Sequence, residues 1–292
     1  MNRQKRGYLF FVCGVCLYSF SDAIMKYFMP FYGVQQVVFM RTVSRFVPFM
    51  LWALCMQVNP LITRRPLENI LRSALASLGT YAFMSAYKHS AMTDVFVVGL
   101  TTSIFVIPLS VWILKEKFLL QNIVAVLCGF FGICLALRPG GDVLQWGIAF
   151  AAAGALIAAL NQVIIKRLTS TESELTIIFY HHLLLIILSF CLATFVPMAL
   201  IHIAILSIGG LIGAVAQYFM IHALRLSTSS GLASAGYFML IPNTILDYFL
   251  YNKIPDIYII GGLILILIGS LQAFTLQSRK SSSLDREKKS PA

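Results

Sequence analysis

Long apolar runs separated by short polar breaks dominate this sequence. A helix needs about 20 predominantly apolar residues to cross the hydrocarbon core of a bilayer. Measured against that length, the sequence predicts ten membrane-spanning helices, at residues 8–28, 34–56, 68–87, 92–113, 119–137, 144–165, 175–195, 200–223, 230–250 and 257–276. The breaks between them are too short to hold an extramembrane catalytic domain. We therefore expect an all-α polytopic membrane protein.

Composition supports this class and excludes others. Hydrophobic residues make up 59% of the 292 residues and charged residues 11%, whereas soluble domains have about 45–50% and about 25%. Ordinary soluble enzymes, disordered chains and nucleic-acid-binding modules are excluded on that ground. The cysteines lie in apolar runs, and we interpret Cys13 and Cys16 as two small apolar residues one helical turn apart. No disulfide framework, metal site or cofactor is predicted.

The distribution of basic residues predicts the orientation in the membrane. Ten spans place both termini on one side, and 16 of the 22 lysines and arginines fall on that side, Arg72 among them. Three lie on the opposite side and three lie inside spans. Because cytoplasmic loops collect lysine and arginine, we expect a protein of the inner membrane with both termini in the cytoplasm. The bias also accounts for the net charge of +11 without a nucleic-acid partner.

The two halves of the chain resemble each other in sequence. Residues 22–26 (DAIMK) align with residues 162–166 (QVIIK) at an offset of 140. Residues 39–41 (FMR) align with residues 179–181 (FYH) at the same offset. A constant offset at separate anchor points indicates an internal repeat.

This repeat predicts the organisation of the whole chain. We expect a first five-helix repeat at 8–138, a second at 144–276 and a disordered cytoplasmic tail at 277–292. Because five is an odd number of spans, the second repeat would enter the bilayer from the opposite side. Inverted repeats of this kind recur in secondary transporters, which hold substrate near the midplane between the repeats.

Several short motifs accompany this layout: Ser21-Asp22 and Lys26 in span one, Arg41 in span two, Leu114-Lys-Glu116 after span four, and Gly129 and Gly132 in span five. With them, the chain resembles the drug/metabolite transporter superfamily, specifically its EamA-type ten-helix carriers. The segment Asn252-Lys253-Ile-Pro departs from that family, which often carries a glutamate there. A further similarity, to S-adenosylmethionine carriers of obligate intracellular bacteria, is carried by Ser21-Asp22 with Lys26-Tyr27, by Phe39-Met-Arg41 and by Ile254-Pro-Asp256. The resemblance implies a transporter and not an enzyme.

Charged residues inside the apolar spans are candidates for function, because a charge at the bilayer centre costs about 2.5–3.5 kcal/mol on insertion scales. Asp22 and Arg41 each lie about 10 Å below the outer boundary at about 1.5 Å of rise per residue. We expect an ion pair between them, with either a functional or a purely structural role. Arg45 lies deeper and suits a substrate carboxylate or phosphate, which a guanidinium binds at two points. Its alternative is pairing with Asp247 or with helix-end carbonyls.

The polar candidates of the second half are Asn161, Gln162, His181, Gln217, Tyr237 and Asp247. Each could line a cavity shared with the first half. The alternative for Tyr237 is a place in the aromatic belt at the membrane interface, and for each of the others it is an interhelical hydrogen bond. Neighbours on a helix point about 100° apart, so at most one of His181 and His182 is expected to face the cavity. His181 is favoured because it aligns with Arg41. In span eight, Gly209 and Gly213 form a G-x-x-x-G pattern that permits close helix approach.

These features together predict a secondary transporter that moves a small polar metabolite by alternating access. Three buried cations (Lys26, Arg41 and Arg45) outnumber two buried carboxylates (Asp22 and Asp247). This excess favours an anionic or zwitterionic substrate, such as an amino acid or an S-adenosylmethionine-like molecule. A multidrug efflux carrier is the alternative, and an integral membrane transferase is a remote one. The expected partners are the small-molecule substrate, the lipid bilayer, and a coupling proton or counter-substrate, for a monomer or homodimer.

Overall fold

The computed structural model describes residues 3–89, 101–116, 146–229 and 234–251, with the isolated positions 95, 98, 99, 127, 131, 232 and 261. These residues form α-helices α1 (Arg3–Tyr32), α2 (Val34–Cys55), α3 (Pro66–His89), α4 (Thr102–Leu114), α5 (Trp146–Leu168), α6 (Glu174–Leu192), α7 (Leu200–Leu226) and α8 (Leu240–Tyr251), with a 3₁₀ helix at Ser234–Met239 before α8. The all-α class is confirmed. Predicted spans 119–137 and 257–276 and the tail 277–292 lie outside the described residues, apart from the isolated positions within the two spans.

Within the described residues, five helices are long and apolar enough to cross a membrane: Gln4–Tyr32, Val34–Cys55, Trp146–Leu168, Glu174–Leu192 and Leu200–Leu226. They correspond to predicted spans one, two, six, seven and eight. In α3 the polar first turns reduce the mean hydropathy, and α4 is a shorter apolar helix of 13 residues. The protein is therefore a multi-pass membrane protein with several apolar helices.

Two connections on one side of the bundle lie within the described residues. Gly33 alone separates α1 from α2, with φ 73°, a backbone conformation that glycine adopts without a Cβ clash. Between α6 and α7, residues 193–199 form an extended linker. Gln36 holds this linker through two hydrogen bonds to the Val196 backbone, donating to its carbonyl at 2.7 Å and accepting from its N–H at 2.9 Å.

Helices from the two halves pack against each other in antiparallel pairs. Against α1, α7 runs antiparallel, since Ser21 donates to the Gly209 carbonyl at 2.7 Å while Gly14 contacts Met220. In the same way α5 runs antiparallel to α3, where Gly79 meets Ile157 and Gly154 meets Phe83.

Between α2 and α6 the packing is aromatic, and it shows that these helices are antiparallel too. The ring centroids of Phe46 and Phe179 are 5.5 Å apart, and those of Phe39 and Phe190 are 5.7 Å apart. A residue further along α2 thus meets a residue earlier along α6. The core of the bundle therefore lies between helices that are distant in sequence.

The glycines of α7 permit its close approach to two helices at once, as the sequence predicts. Gly209 faces Ile24 of α1, while Gly210 faces Ser44 of α2. A Cβ on Gly213 would overlap the guanidinium of Arg45. Small residues on a helix face allow this approach because no side chain separates the backbones.

Polar contacts between distant segments collect at one end of the bundle. The Arg64 N–H donates to Glu172 Oε1 at 2.9 Å, linking the α2–α3 and α5–α6 connections. Arg225, near the end of α7, pairs with Glu174 at 2.8 Å. Ser227 donates to the Gln4 carbonyl at 3.2 Å, which brings the start of α1 to the same end. Segments that the basic-residue count assigns to one side of the membrane thus lie together.

Candidate functional site

A cavity of about 430 Å³ lies between helices of both halves. This volume falls within the range of about 300–1,000 Å³ typical of small-molecule sites. Seven of the nine residues that the sequence nominates line it: Asp22, Arg41, Arg45, Asn161, Gln162, His181 and Gln217. For the other two, only the backbone is described: Tyr237 in the 3₁₀ helix and Asp247 in α8. Their side chains lie outside the described residues.

The expected ion pair between Asp22 and Arg41 is present. Arg41 Nη1 lies 2.7 Å from Asp22 Oδ1, and the two side chains are 10% and 30% exposed. Arg41 Nη1 also lies 2.8 Å from Met25 Sδ. Because Gly33 turns the chain directly from α1 into α2, residues at similar distances before and after it face each other. The exposed part of Asp22 faces the cavity.

Arg45 lies one helical turn beyond Arg41 and is held by neutral groups. Its Nη1 donates to Tyr18 Oη at 3.0 Å, and its Nη2 donates to Ser21 Oγ at 2.8 Å. The guanidinium carbon lies 4.7 Å from the centroid of the Tyr18 ring, a cation–π contact. Within the described part of the chain, no carboxylate forms an ion pair with Arg45.

Arg72 is a third buried arginine at the cavity, although in the sequence analysis it counts with the basic residues of the cytoplasmic side and not with those inside spans. It is 1% exposed and lines the cavity from α3. Its Nη1 donates to the Ile177 carbonyl of α6 at 2.7 Å. The helix begins at Pro66, so Arg72 lies almost two turns inside it, on a face that α6 covers. The sequence did contain a signal for this placement, because Arg72 lies within the predicted span 68–87. The count of basic residues placed it on the cytoplasmic side instead.

Both adjacent histidines line the cavity, so the expectation that only one faces it is also wrong. His182 is 1% exposed, and its Nδ1 lies 2.9 Å from the Ile178 carbonyl. The two rings are 5.2 Å apart between centroids and inclined by 74°. The two side chains point about 100° apart from α6, and both can reach the cavity because it extends along two neighbouring helices. Among the described residues, no group of three or more His, Cys, Asp or Glu could hold a metal ion.

Tyr18 is a further residue of the site that the sequence interpretation missed. It lies under both guanidinium groups, with the Arg41 carbon 5.4 Å and the Arg45 carbon 4.7 Å from its ring centroid. Its spacing of four residues from Asp22 places both on one helix face, and this spacing was the available signal. An aromatic wall with a hydroxyl handle suits a ligand that has both flat and polar parts.

Four polar atoms of the lining residues are buried and have no hydrogen-bond partner among the described residues. They are Arg45 Nε, Arg72 Nε, Asn161 Oδ1 and His181 Nδ1. Most buried polar atoms in proteins are satisfied, so such a concentration calls for an explanation. The charged residues of the lining are three arginines and one aspartate. The described cavity therefore has an excess of positive charge together with unused hydrogen-bonding groups.

Comparison with known proteins gives this architecture a family. Residues 5–138 and 145–275 each match the model of the EamA-like transporter family. An S-adenosylmethionine uptake transporter of Rickettsia prowazekii is 25% identical over 288 residues, covering 97% of each chain. A riboflavin transporter of Rhizobium johnstonii is 26% identical over 212 residues, covering 72% of this chain and 70% of that protein.

A solved crystal structure has the same fold. It superimposes with a TM-score of 0.77 at 16% identity, covering 94% of this chain and 98% of the other. The two family matches together span almost the whole sequence, and they agree with the antiparallel helix pairs that join its halves. The chain therefore belongs to the EamA-like transporter family.

Proposed function

We propose that this transporter moves a small metabolite that carries an anionic or zwitterionic group, such as an amino acid or an S-adenosylmethionine-like molecule with its amino-acid end, by alternating access. One observation carries the proposal: among the described residues that line the cavity, three buried arginines face one carboxylate. A buried charge without a partner is strongly unfavourable. An anionic group on the substrate would compensate the excess charge while the substrate is bound.

The substrate site that we propose consists of the sequence-nominated residues together with Tyr18, Arg72 and His182. Asp22 and Arg41 form one polar group, and Arg45 extends it along α2. The amides of Asn161, Gln162 and Gln217 supply donors and acceptors from the other half. Tyr237 and Asp247 complete the proposed set.

The proposed topology is ten spans in two inverted repeats, 8–138 and 144–276, followed by a cytoplasmic tail at 277–292. The antiparallel pair α2–α6 supports it, because α2 and α6 are the second helices of the two proposed repeats. The antiparallel pairs α1–α7 and α3–α5 support it too, since each joins the first helix of one proposed repeat to the third helix of the other. Two polar contacts at opposite ends of the bundle support it as well. At one end, Tyr32 Oη lies 2.6 Å from His202 Nδ1. At the other end, the Arg64 N–H donates to Glu172. Glu172 lies 140 residues after Tyr32, and Arg64 lies 138 residues before His202, so the two contacts join corresponding positions of the two proposed repeats.

We further propose that the protein lies in the inner membrane with both termini in the cytoplasm, and that a coupling proton or a counter-substrate drives transport. Reporter fusions test the orientation. Fusions at the tail and in the connections at Arg64, Lys115, Lys166 and Arg225 should report the cytoplasm. A tail on the outer side would contradict the ten-span topology.

Uptake by proteoliposomes tests the function. Purified protein would be reconstituted and offered a panel of labelled compounds: amino acids, S-adenosylmethionine, riboflavin and a lipophilic cation. We expect saturable uptake of a compound that carries a carboxylate, and none by protein-free vesicles. Arg65, a partly exposed arginine outside the cavity lining, provides the control variant Arg65→Gln, which should transport normally. Preferential movement of the lipophilic cation would contradict the proposal and would favour drug efflux.

A further inference from the structure

The excess positive charge of the cavity is concentrated at Arg72. Arg41 is paired directly with Asp22 at 2.7 Å. Arg45 donates to two hydroxyls and lies over an aromatic ring. Arg72 makes one hydrogen bond, to a backbone carbonyl, and its Nε has no partner among the described residues. It is thus the least compensated of the three described arginines at the cavity.

Arg72 is also close in height to an unused acceptor. Along the antiparallel pair α3–α5, Gly79 meets Ile157 and Gly154 meets Phe83. This register places Arg72 and Asn161 about three residues apart in height, or roughly 4.5 Å at the rise of an α-helix. Asn161 Oδ1 is buried and unpartnered, and both residues line the cavity.

His181 adds a third polar group to this region. It lies one turn beyond Ile177, whose carbonyl accepts from Arg72. Its Nδ1 is buried and has no partner in the described structure. Arg72 Nε, Asn161 Oδ1 and His181 Nδ1 are thus unpartnered among the described residues, and all three residues line the same cavity.

We propose that Arg72 and Asn161 bind the zwitterionic head group of an α-amino acid, with Arg72 donating to its carboxylate and Asn161 Oδ1 accepting from its ammonium group. His181 contacts the same head group. The rest of the substrate extends toward Tyr18 and the Asp22–Arg41 pair. This assignment rests on the proposed transport function and narrows its substrate class to molecules with a free α-amino-acid end. A plain organic anion would leave Asn161 Oδ1 unsatisfied, which is why the zwitterion is favoured.

Binding to purified, detergent-solubilised full-length protein tests the head-group assignment. The probes are methionine, S-adenosylmethionine, the decarboxylated derivative of each, and the methionine analogue that lacks the amino group. We expect wild-type protein to bind the carboxylated compounds at least about 30-fold more tightly, as for a buried charge pair. Arg72→Gln should lose this preference while its affinity for the decarboxylated compounds changes less than about twofold. Arg65→Gln is the control and should bind as wild type does.

A merely structural role for Arg72 would weaken binding of all probes equally, and that result would overturn the assignment. If Arg72→Gln fails to reach the membrane, Arg72→Lys and Asn161→Leu carry the test. Arg72→Lys should keep a reduced preference for the carboxylate, and Asn161→Leu should lose the preference for methionine over its analogue without an amino group. Unchanged preferences in both variants would overturn the assignment.

The same variants separate this inference from the transport function. If Arg72→Gln takes up a carboxylated compound as fast as wild-type protein does, the proposed transport function stands and the head-group assignment is overturned. Tight binding of riboflavin with no binding of any α-amino acid would overturn it as well. Absence of uptake of every compound by reconstituted wild-type protein, with head-group binding intact, would contradict the transport function alone.

Discussion

Removing one member of the Asp22–Arg41 pair should cost more than removing both. Asp22→Asn leaves the guanidinium of Arg41 buried beside Tyr18 and Met25 without its carboxylate partner. Breaking a fully buried pair in this way costs about 3–5 kcal/mol. Because Asp22 is 30% exposed, we expect a smaller loss of about 2–3 kcal/mol in the free energy of unfolding. Arg41→Gln should cost a similar amount.

The double variant Asp22→Asn with Arg41→Gln should lose less free energy of unfolding than the two single variants lose in sum. The difference should be at least about 1 kcal/mol. The assay is the free energy of unfolding of all four proteins in mixed micelles. The control is the surface pair Arg65–Glu68, with 3.4 Å between charged atoms and both side chains 31% exposed, whose coupling should be at most about 0.5 kcal/mol. Additivity of the Asp22 and Arg41 losses within about 0.5 kcal/mol would refute the reasoning.

Three further predictions follow from buried contacts of the bundle. Gly213→Ala should destabilise the protein by about 1–3 kcal/mol, because the new Cβ would overlap the guanidinium of Arg45. The control is Gly79→Ala, whose Cβ would come no closer than 3.1 Å to Ile157. Thermal unfolding of both variants measures the difference, and equal losses would contradict the prediction. Arg45→Lys should insert normally but transport weakly, because a lysine cannot replace the two hydrogen bonds of the planar guanidinium. Arg45→Ala should reach the membrane at the wild-type level and should not transport. Full uptake by Arg45→Ala would show that the residue has a structural role only. Gln36→Leu should remove both hydrogen bonds to Val196 and lower the free energy of unfolding by about 1–3 kcal/mol. Hydrogen exchange of the backbone amides in the linker at 193–199 should then become faster. Unchanged exchange there would show that other contacts hold the linker.

The helices themselves were predictable from local sequence. A run of about 20 apolar residues specifies a spanning helix regardless of its neighbours, since an unpaired backbone is not tolerated in lipid. The Asp22–Arg41 pair was predictable for a related reason. Its members lie on consecutive helices joined at Gly33, so their relative depth can be counted along the chain. Seven of the nine nominated residues line the cavity because polar side chains in apolar spans turn away from lipid.

The tertiary structure alone decided which helices from distant parts of the chain meet. In the sequence analysis, Arg72 counts among the basic residues of the cytoplasmic side. In the structure α6 covers it, and Arg72 donates a hydrogen bond to the Ile177 carbonyl of α6. Both His181 and His182 reach the cavity because it extends along more than one helix face. Tyr18 became part of the site only through the register of α1 against α2, which places its ring beside two guanidinium groups. Helix formation depends on hydrogen bonds within one segment, whereas the charge balance of a cavity depends on packing between segments that local sequence does not encode.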